Sequence, residues 1–266
     1  VRELGELIAS VILPRTPQVV FSIFMVTVCA YAVSQGLEVI ARVTELFYPF
    51  ILTLFGLMLI LVYGHMQFTH LFPVLEHGIR PVLLASLDPS AWRGEFIVLA
   101  MFLPYLARPG RGRSDAMLAA ALVGFILLLD ALASTAIFGV TTARINYPTF
   151  EMVRLAGIGQ FFTRMDAVWI IIWLFGMFGK VGIFLYVTVI AATQLLNLKQ
   201  DRPMIIPLSI LTIVLSLSLF ENSTLMILFL TGPFISYAFS AELFIPTILL
   251  IIALLRGKTA VCRDGF

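Results

Sequence analysis

Apolar residues in this chain come in long continuous runs, broken by short polar stretches, with no sustained alternation. A helix needs roughly 20 apolar residues to cross a hydrocarbon layer about 30 Å thick. At that depth the backbone must satisfy its own hydrogen bonds, so the runs read as helices; barrel strands would be short and alternating. The pattern predicts spans over residues 17–34, 46–63, 116–140, 168–198, 203–220 and 225–255, the last interrupted at Gly232 and Pro233. The second is entered through the more polar QGLEVIARVTE. A shorter run, 95–107, follows LASLDPSAWRG, and the two together predict one crossing over 78–107 made of two half-helices around a break. The opening VRELGELIASVIL has the pattern of the last turns of a helix. With Val1 in first place, and too short and acidic for a signal peptide, it predicts a chain truncated at its N-terminus.

Composition narrows the class. Of 266 residues, 61% are apolar and 12% are charged, against about 45–50% and about 25% in soluble domains. That leaves too little polar side chain to cover a water-facing surface. A soluble globule, a disordered chain and a nucleic-acid binder are excluded, and the expected fold is an all-α polytopic membrane protein. The net charge of +2 adds little. Cys29 falls in a span and Cys262 in the tail, so no disulfide framework is implied.

The distribution of charge orients the spans. Arg108, Arg111 and Arg113 crowd one loop, Lys199 and Arg202 another, and Arg256, Lys258 and Arg263 follow the last span. Alternating the spans puts these groups and Arg42 on one side, which the positive-inside bias makes the cytoplasm. Residues 64–85 and 141–164 then lie outside, the second as a helical loop across an outer vestibule. The opposite loops carry Arg15, Arg80, Arg144, Arg154 and Arg164, in longer segments where the bias is weaker.

Ionisable groups at membrane depth cost several kcal/mol by most scales and usually face a cavity or a partner. Lys180 stands mid-run among Gly176, Gly179 and Gly182, small residues that let a neighbouring backbone approach. It reads either as a charge in place of a transporter's coupling cation, or a proton-carrying amine, or as a structural partner of Asp130 or Glu242. Glu95 opens the second half-helix after Gly94, whose freedom of backbone angle suits a break. Its carboxylate would accept a ligand ammonium or cap the helix N-terminus. Asp130 lies near the middle of its span and carries protons or pairs with a cation, with pairing favoured. Glu242 precedes Pro246 by four residues, so the proline leaves the Glu242 carbonyl without its helical donor and predicts a kink. Pro233 does the same to Phe229, and Pro104 to Ala100. His65, His70 and His77 match no zinc spacing and read as a solvated loop. Neither Gly-x-Ser-x-Gly nor His-Glu-x-x-His occurs, so neither an enzyme nor a cofactor or metal centre is expected.

These segments, VRELGELIASVILPRTP, FMVTVCAYAVSQGLEVIARVTELFYPF, WRGEFIVLAMFLPYLARP and MDAVWIIIWLFGMFGKVGIFLYVTVIAATQLLNLKQDRPMIIPLSIL, occur in the order found in a known family. The chain resembles the B subunits of spore germination receptors, the GerAB/GerKB-type spore permeases. The resemblance covers nearly all of the chain, with 141–160 loosely matched. It implies the amino acid–polyamine–organocation transporter fold, an inverted-repeat, LeuT-like bundle of ten helices in two five-helix repeats. On this sequence, 1–63 becomes the remainder of the first repeat, with 1–13 the end of the third helix. Residues 78–255 become the second repeat and 256–266 a cytoplasmic tail, which leaves two helices and most of a third absent. The resemblance further implies a germinant receptor subunit of the spore inner membrane that recognises a small nutrient, typically an amino acid. Its partners would be an A-type membrane subunit and a C-type lipoprotein. By position, Gly94, Glu95 and Phe96 match the broken sixth helix, Lys180, Ile183 and Tyr186 the eighth, and Glu3 and Glu6 the third. Gly94, Glu95, Phe96, Ile183 and Tyr186 are expected to bind ligand. Lys180, Glu242, Glu3 and Glu6 are expected on a polar pathway, with Asp130 a further candidate. A proton-coupled amino-acid permease and a structural membrane subunit without ligand are the alternatives.

Overall fold

The computed structural model describes residues 1–11, 15–76, 78–102, 105–106, 108–155 and 165–256. Among them every regular element is helical. In chain order the α-helices are α1 (Arg2–Val11), α2 (Gln18–Gln35), α3 (Leu37–Val62), α4 (Ile79–Ala85), α5 (Leu87–Arg93), α6 (Leu99–Phe102), α7 (Gly112–Phe138), α8 (Pro148–Leu155), α9 (Met165–Leu195), α10 (Arg202–Ser218), α11 (Ser223–Leu230), α12 (Pro233–Phe239) and α13 (Ile245–Leu255). Among the described residues five stretches are long and apolar enough to cross a membrane: Gln18–Gln35, Leu37–His65, Gly112–Arg144, Trp169–Leu195 and Pro233–Leu255. The helix in the expected 203–220 span, Arg202–Ser218, qualifies only when taken together with Ser223–Leu230. The chain divides into two compact units, one of Val1–Val74 with Arg113–Leu219 and one of Leu75–Gly112 with Phe220–Phe266.

Three elements depart from the sequence pattern, each for a local reason. The polar entry before residue 46 is helical, so α3 begins at Leu37. Gly36, at φ +101°, turns the chain between α2 and α3 in one residue. Exposed Glu38 and Arg42 then pair one turn apart at 2.6 Å. The 78–107 crossing forms several short pieces where two half-helices were expected: α4, α5, a 3₁₀ turn over Gly94–Val98, and α6. Two hydroxyls there bond back to carbonyls, Ser86 to Leu83 at 2.8 Å and Ser90 to Ser86 at 2.6 Å, which weakens helix continuity. In the last run the crossing-length stretch starts at Pro233. Ahead of it, α11 is a short helix whose N-terminus is capped by Asn222, with the Leu225 N–H donating to Oδ1 at 2.9 Å.

The first unit has the denser core. One cluster joins α1, α2, α3, α9 and α10 through Leu4, Cys29, Ile40, Phe178, Val189 and Ile205. A second joins α3, α7 and α8 through Met58, Val62, Ala133, Met152 and Val153. Helix α9 packs on α1, α2, α3, α8 and α10. In lipid there is little hydrophobic drive between helices, so close backbone approach and dispersion contacts must hold them. Two of the three glycines beside Lys180 supply it. A Cβ at Gly179 would lie 3.2 Å from Thr44 Oγ1 and one at Gly182 would lie 3.5 Å from Ile40 Cγ2, whereas Gly176 faces open space. Phe47 stacks on Phe175 nearby.

The second unit has few buried apolar side chains, Ala91, Met226 and Ala238 among them. Aromatic contacts surround its Gly232–Pro233 break: Trp92 to Phe234 with ring centroids 4.9 Å apart, Phe220 to Phe229 at 5.4 Å, and Phe229 to Tyr237 at 6.0 Å. The kink expected at Pro246 takes the form of a π-turn over Ser240–Phe244, closed by the Ile245 N–H bonding the Ser240 carbonyl five residues back. Pro246 has no N–H to give Glu242, and the wider turn accommodates the lost bond. Pro104, residues 156–164 of the expected outer loop, and 257–266 of the tail lie outside the described residues.

Candidate functional site

The candidate residues fall in both units. In the second, the 3₁₀ turn that begins at Gly94 packs against the π-turn that carries Glu242. Gly94 has ordinary helical angles, φ −60° and ψ −18°, so unusual backbone freedom is not its role. Its missing side chain is what matters. A Cβ there would stand 2.7 Å from Glu242 Cδ and 2.9 Å from Glu242 Cβ, closer than real contacts allow. The Glu242 side chain therefore lies over the bare Gly94 backbone. Glu95 and Phe96 follow directly and are half-buried. Gly94, Glu95, Phe96 and Glu242 thus belong to one structural feature, in which two carboxylates ride on two departures from α-helical hydrogen bonding. Such turns redirect backbone polar groups and recur at functional sites.

In the first unit, Lys180 is half-buried on α9, with its ammonium within electrostatic range of the Glu3 carboxylate on α1. Glu6 is engaged differently. Arg2 Nε donates to its Oε1 at 2.9 Å, and Arg2 Nη1 donates to the Leu217 carbonyl at 3.1 Å, which ties α1 to α10. Both partners of that ion pair are shielded, at 12% and 14% exposure. Helix α1 is further held by Gln18 Nε2, which donates to the Arg2 carbonyl at 2.9 Å beside the close approach of Gly5. Asp130 accepts a 2.8 Å hydrogen bond from Thr149 Oγ1, while its Oδ1 is buried without a hydrogen-bond partner among the described residues. Among the described residues the partner shown for Asp130 is this hydroxyl. Ile183 packs on the main core. Tyr186 lines a cavity of about 380 Å³ with Gln35, Gly36, Asp201 and Arg202. On α9, Ile183 and Tyr186 thus both pack on the core, Tyr186 also reaching a cavity wall, while Lys180 lies within electrostatic range of Glu3.

Some features escaped the sequence. Arg2, read as part of a helix end, is the cation that engages Glu6. His70, read as solvated, has Nδ1 3.1 Å from the Ala136 carbonyl oxygen and its ring against Gly139, at φ +56°. His77 lies outside the described residues. A cavity of about 180 Å³ is walled by Tyr147, Phe150, Trp169 and Trp173, with Leu7, Asn146, Pro148 and Thr149 also lining it. The four-residue spacing of Trp169 and Trp173 was the signal available for it, since it puts both indoles on one face of α9.

A family model described as spore germination protein matches residues 1–224. The chain belongs to the spore germination protein family. It is 28% identical over 226 residues to spore germination protein KB of Bacillus subtilis (strain 168), covering 83% of this chain and 61% of that protein. Identity to spore germination protein XB of Bacillus anthracis is 28% over 206 residues, 76% of this chain and 57% of the relative. Spore germination protein YndE of Bacillus subtilis (strain 168) is 23% identical over 266 residues, 97% of this chain and 71% of the relative. The chain thus spans about three fifths of the length of the first two. No solved structure matches it. Membership of this family and the crossing-length helices make it a germination-related integral membrane protein.

Proposed function

We propose that this chain is the B-type subunit of a germinant receptor in the spore inner membrane. In this reading it recognises a small nutrient, an amino acid in class, in a transporter-like pocket of an inverted-repeat, LeuT-like bundle. It passes the resulting change of conformation to an A-type membrane subunit and a C-type lipoprotein, with its C-terminus in the cytoplasm. The observation that carries the reading is the Glu242 side chain lying over Gly94 at the broken 78–107 crossing. Secondary transporters bind substrate at interruptions of this kind, where helix ends and unwound backbone present donors and acceptors. A ligand that binds one arrangement of the two turns better than another shifts the balance between them, and a sensor needs no more than that.

The test is germination of spores that carry Glu95→Gln or Glu242→Gln in the protein as the host makes it, scored against single nutrients. A charge-assisted hydrogen bond is worth about 1.5–3 kcal/mol. Losing one shifts the half-maximal concentration of one nutrient about tenfold or more, with subunit levels unchanged. Unaltered responses to every nutrient would sink the sensor and favour a structural subunit. Lys180, within electrostatic range of Glu3, supports a second reading, a proton-coupled permease. Flux of an amino acid into proteoliposomes, abolished by dissipating the proton gradient and by Lys180→Met, would favour it.

A further inference from the structure

We infer that the cavity between the end of α3 and the second half of α7 holds one acyl chain of an anionic phospholipid, whose headgroup meets basic residues at the cavity's edge. The space is about 480 Å³, with Leu59, Met66, Leu71, Leu129, Ala133 and Ala136 among the residues around it. Apart from the Tyr63 hydroxyl, no lining side chain carries a nitrogen or an oxygen. The hollow has a plain structural cause. Ala133 and Ala136 stand three apart on one side of α7 and present only methyls, where Leu129 and Leu132 present long side chains. The chain leaving α3 at Tyr63 is pinned across the end of α7 through a single carbonyl. The Gln67 N–H donates to the Ala136 oxygen at 2.9 Å, and His70 Nδ1 lies 3.1 Å from it.

Depth selects hydrocarbon. Most of the lining falls in the last part of two crossing-length stretches, Leu37–His65 and Gly112–Arg144. An apolar cavity offers water no hydrogen-bond partners and stays dry, and its walls forfeit dispersion contacts while it is empty. A hydrocarbon chain restores those contacts, and in a bilayer lipid tails are what lies alongside. The way in is open, since Ile60 and Tyr63 at the edge are 72% and 64% exposed.

Charge selects the headgroup. Both crossing-length stretches end in a basic residue, His65 and Arg144. Arg144 closes a 3₁₀ turn, Gly139–Arg144, that packs against the Phe68–Leu71 turn beside the cavity. Its side chain is exposed, and among the described residues no ion pair holds it. Neither 59–72 nor 131–146 contains an Asp or Glu, and the neighbouring Asp130 is engaged by Thr149. A guanidinium binds phosphate through paired N–H groups, and basic residues beside a membrane-spanning helix draw anionic headgroups over zwitterionic ones.

The test is labelling by phosphatidylglycerol that carries a photoreactive diazirine in one acyl chain, with the labelled residues located by mass spectrometry. It is run on isolated host membranes and on the purified protein in nanodiscs. Labels should concentrate on residues 59–71 and 129–136 in both settings. Unlabelled phosphatidylglycerol should compete better than phosphatidylcholine. Leu132→Trp, which enlarges a partly exposed lining side chain, should remove the labels, whereas Leu118→Trp, exposed on the same helix away from the cavity, should not. Arg144→Gln, a change at an exposed position that spares the fold, should weaken competition by phosphatidylglycerol about fivefold. Labels spread evenly along the apolar helices, labels unchanged in Leu132→Trp, equal competition by the two lipids, or wild-type competition in Arg144→Gln would each overturn the inference. So would labels found in nanodiscs alone, because a protein helix would then cover the cavity in the host membrane.

Discussion

Helix α9 runs unbroken for 31 residues past Lys180, whereas the stretch that carries Glu242 passes from α-helix through a π-turn and back within 23 residues. Both place a charged residue inside an apolar run, yet they stabilise it differently. Around Lys180 the backbone stays regular, glycines draw α3 close, and charges on α1 lie within reach. Around Glu242 the backbone itself is irregular, the facing 3₁₀ turn begins at a glycine, and few side chains are buried. A regular, densely packed region resists rearrangement, because interiors are close-packed and bistable at most. Sparse packing and irregular turns open at lower cost. On the sensing reading proposed above, the first unit would serve as the scaffold and the second as the movable part.

The largest expected effect tests the scaffold. Gly179→Leu drives a side chain into Thr44, while Gly176→Leu, three residues away on the same helix, enters open space. Overpacking costs about 1–3 kcal/mol and sometimes more. Gly179→Leu should therefore lower the melting temperature sharply or abolish a monodisperse peak in detergent, and Gly176→Leu should change little. Equal tolerance of both would mean that glycine spacing does not set the α3–α9 distance. Truncation gives a related contrast. Ile40 is fully buried and Ile248 is 54% exposed. Ile40→Ala should fall near the low end of the roughly 2–5 kcal/mol seen in soluble cores, because lipid offers no transfer term and only lost packing counts. Ile248→Ala should be close to neutral.

A smaller change in stability, with a larger one in response, is expected where the second unit is bare. Gly94→Ala retains favourable backbone angles, so the cost is confined to displacing Glu242. Protein level and melting temperature should change little, while the nutrient response falls as far as in Glu242→Gln. The double variant Gly94→Ala with Glu242→Gly, which removes both the carboxylate and the Cβ that meet the new methyl, should add no further loss to that of Glu242→Gly alone. Additive losses would mean that the two residues act independently and that the notch at Gly94 is incidental.

The sequence reading was soundest where a single physical signal governs. Continuous apolar runs located α2, α7 and α9 to within a few residues, because in lipid the backbone has few alternatives to a helix. It was weaker where two signals compete. The QGLEVIARVTE stretch looked like a polar entry, but its Glu38–Arg42 spacing suits an exposed helix turn as well as a loop. At 78–107 proline, glycine and hydroxyls announced a break without fixing how many pieces it makes. The site residues fared likewise. Gly94 and Glu242 were each singled out, but 148 positions separate them and only the fold reveals that one lies over the other. Neither Arg2 nor Thr149 is unusual in sequence. They matter through Glu6 and Asp130, contacts that arise in tertiary structure.

The smallest expected effect sharpens the electrostatic side of the comparison. Tyr147 keeps its proton to higher pH in the folded protein than in the unfolded chain, because burial and then Glu3 and Glu6 disfavour the phenolate. An unfolded tyrosine ionises near pH 10. Below that value both states hold the proton, so Tyr147 contributes no pH dependence. Above it the unfolded state binds fewer protons than the folded one, and stability falls as pH rises. Wild type and Tyr147→Phe should thus show parallel melting temperatures from pH 7 to about pH 9, since the variant keeps the ring against Trp173. Beyond about pH 10 the wild type should fall more steeply, by a difference in which its other tyrosines and lysines cancel. Removing the Glu3 charge with Glu3→Gln should narrow that gap without closing it, since burial is the larger cause. If the two curves stay parallel throughout, neither burial nor the field of Glu3 and Glu6 holds the Tyr147 proton in the folded protein.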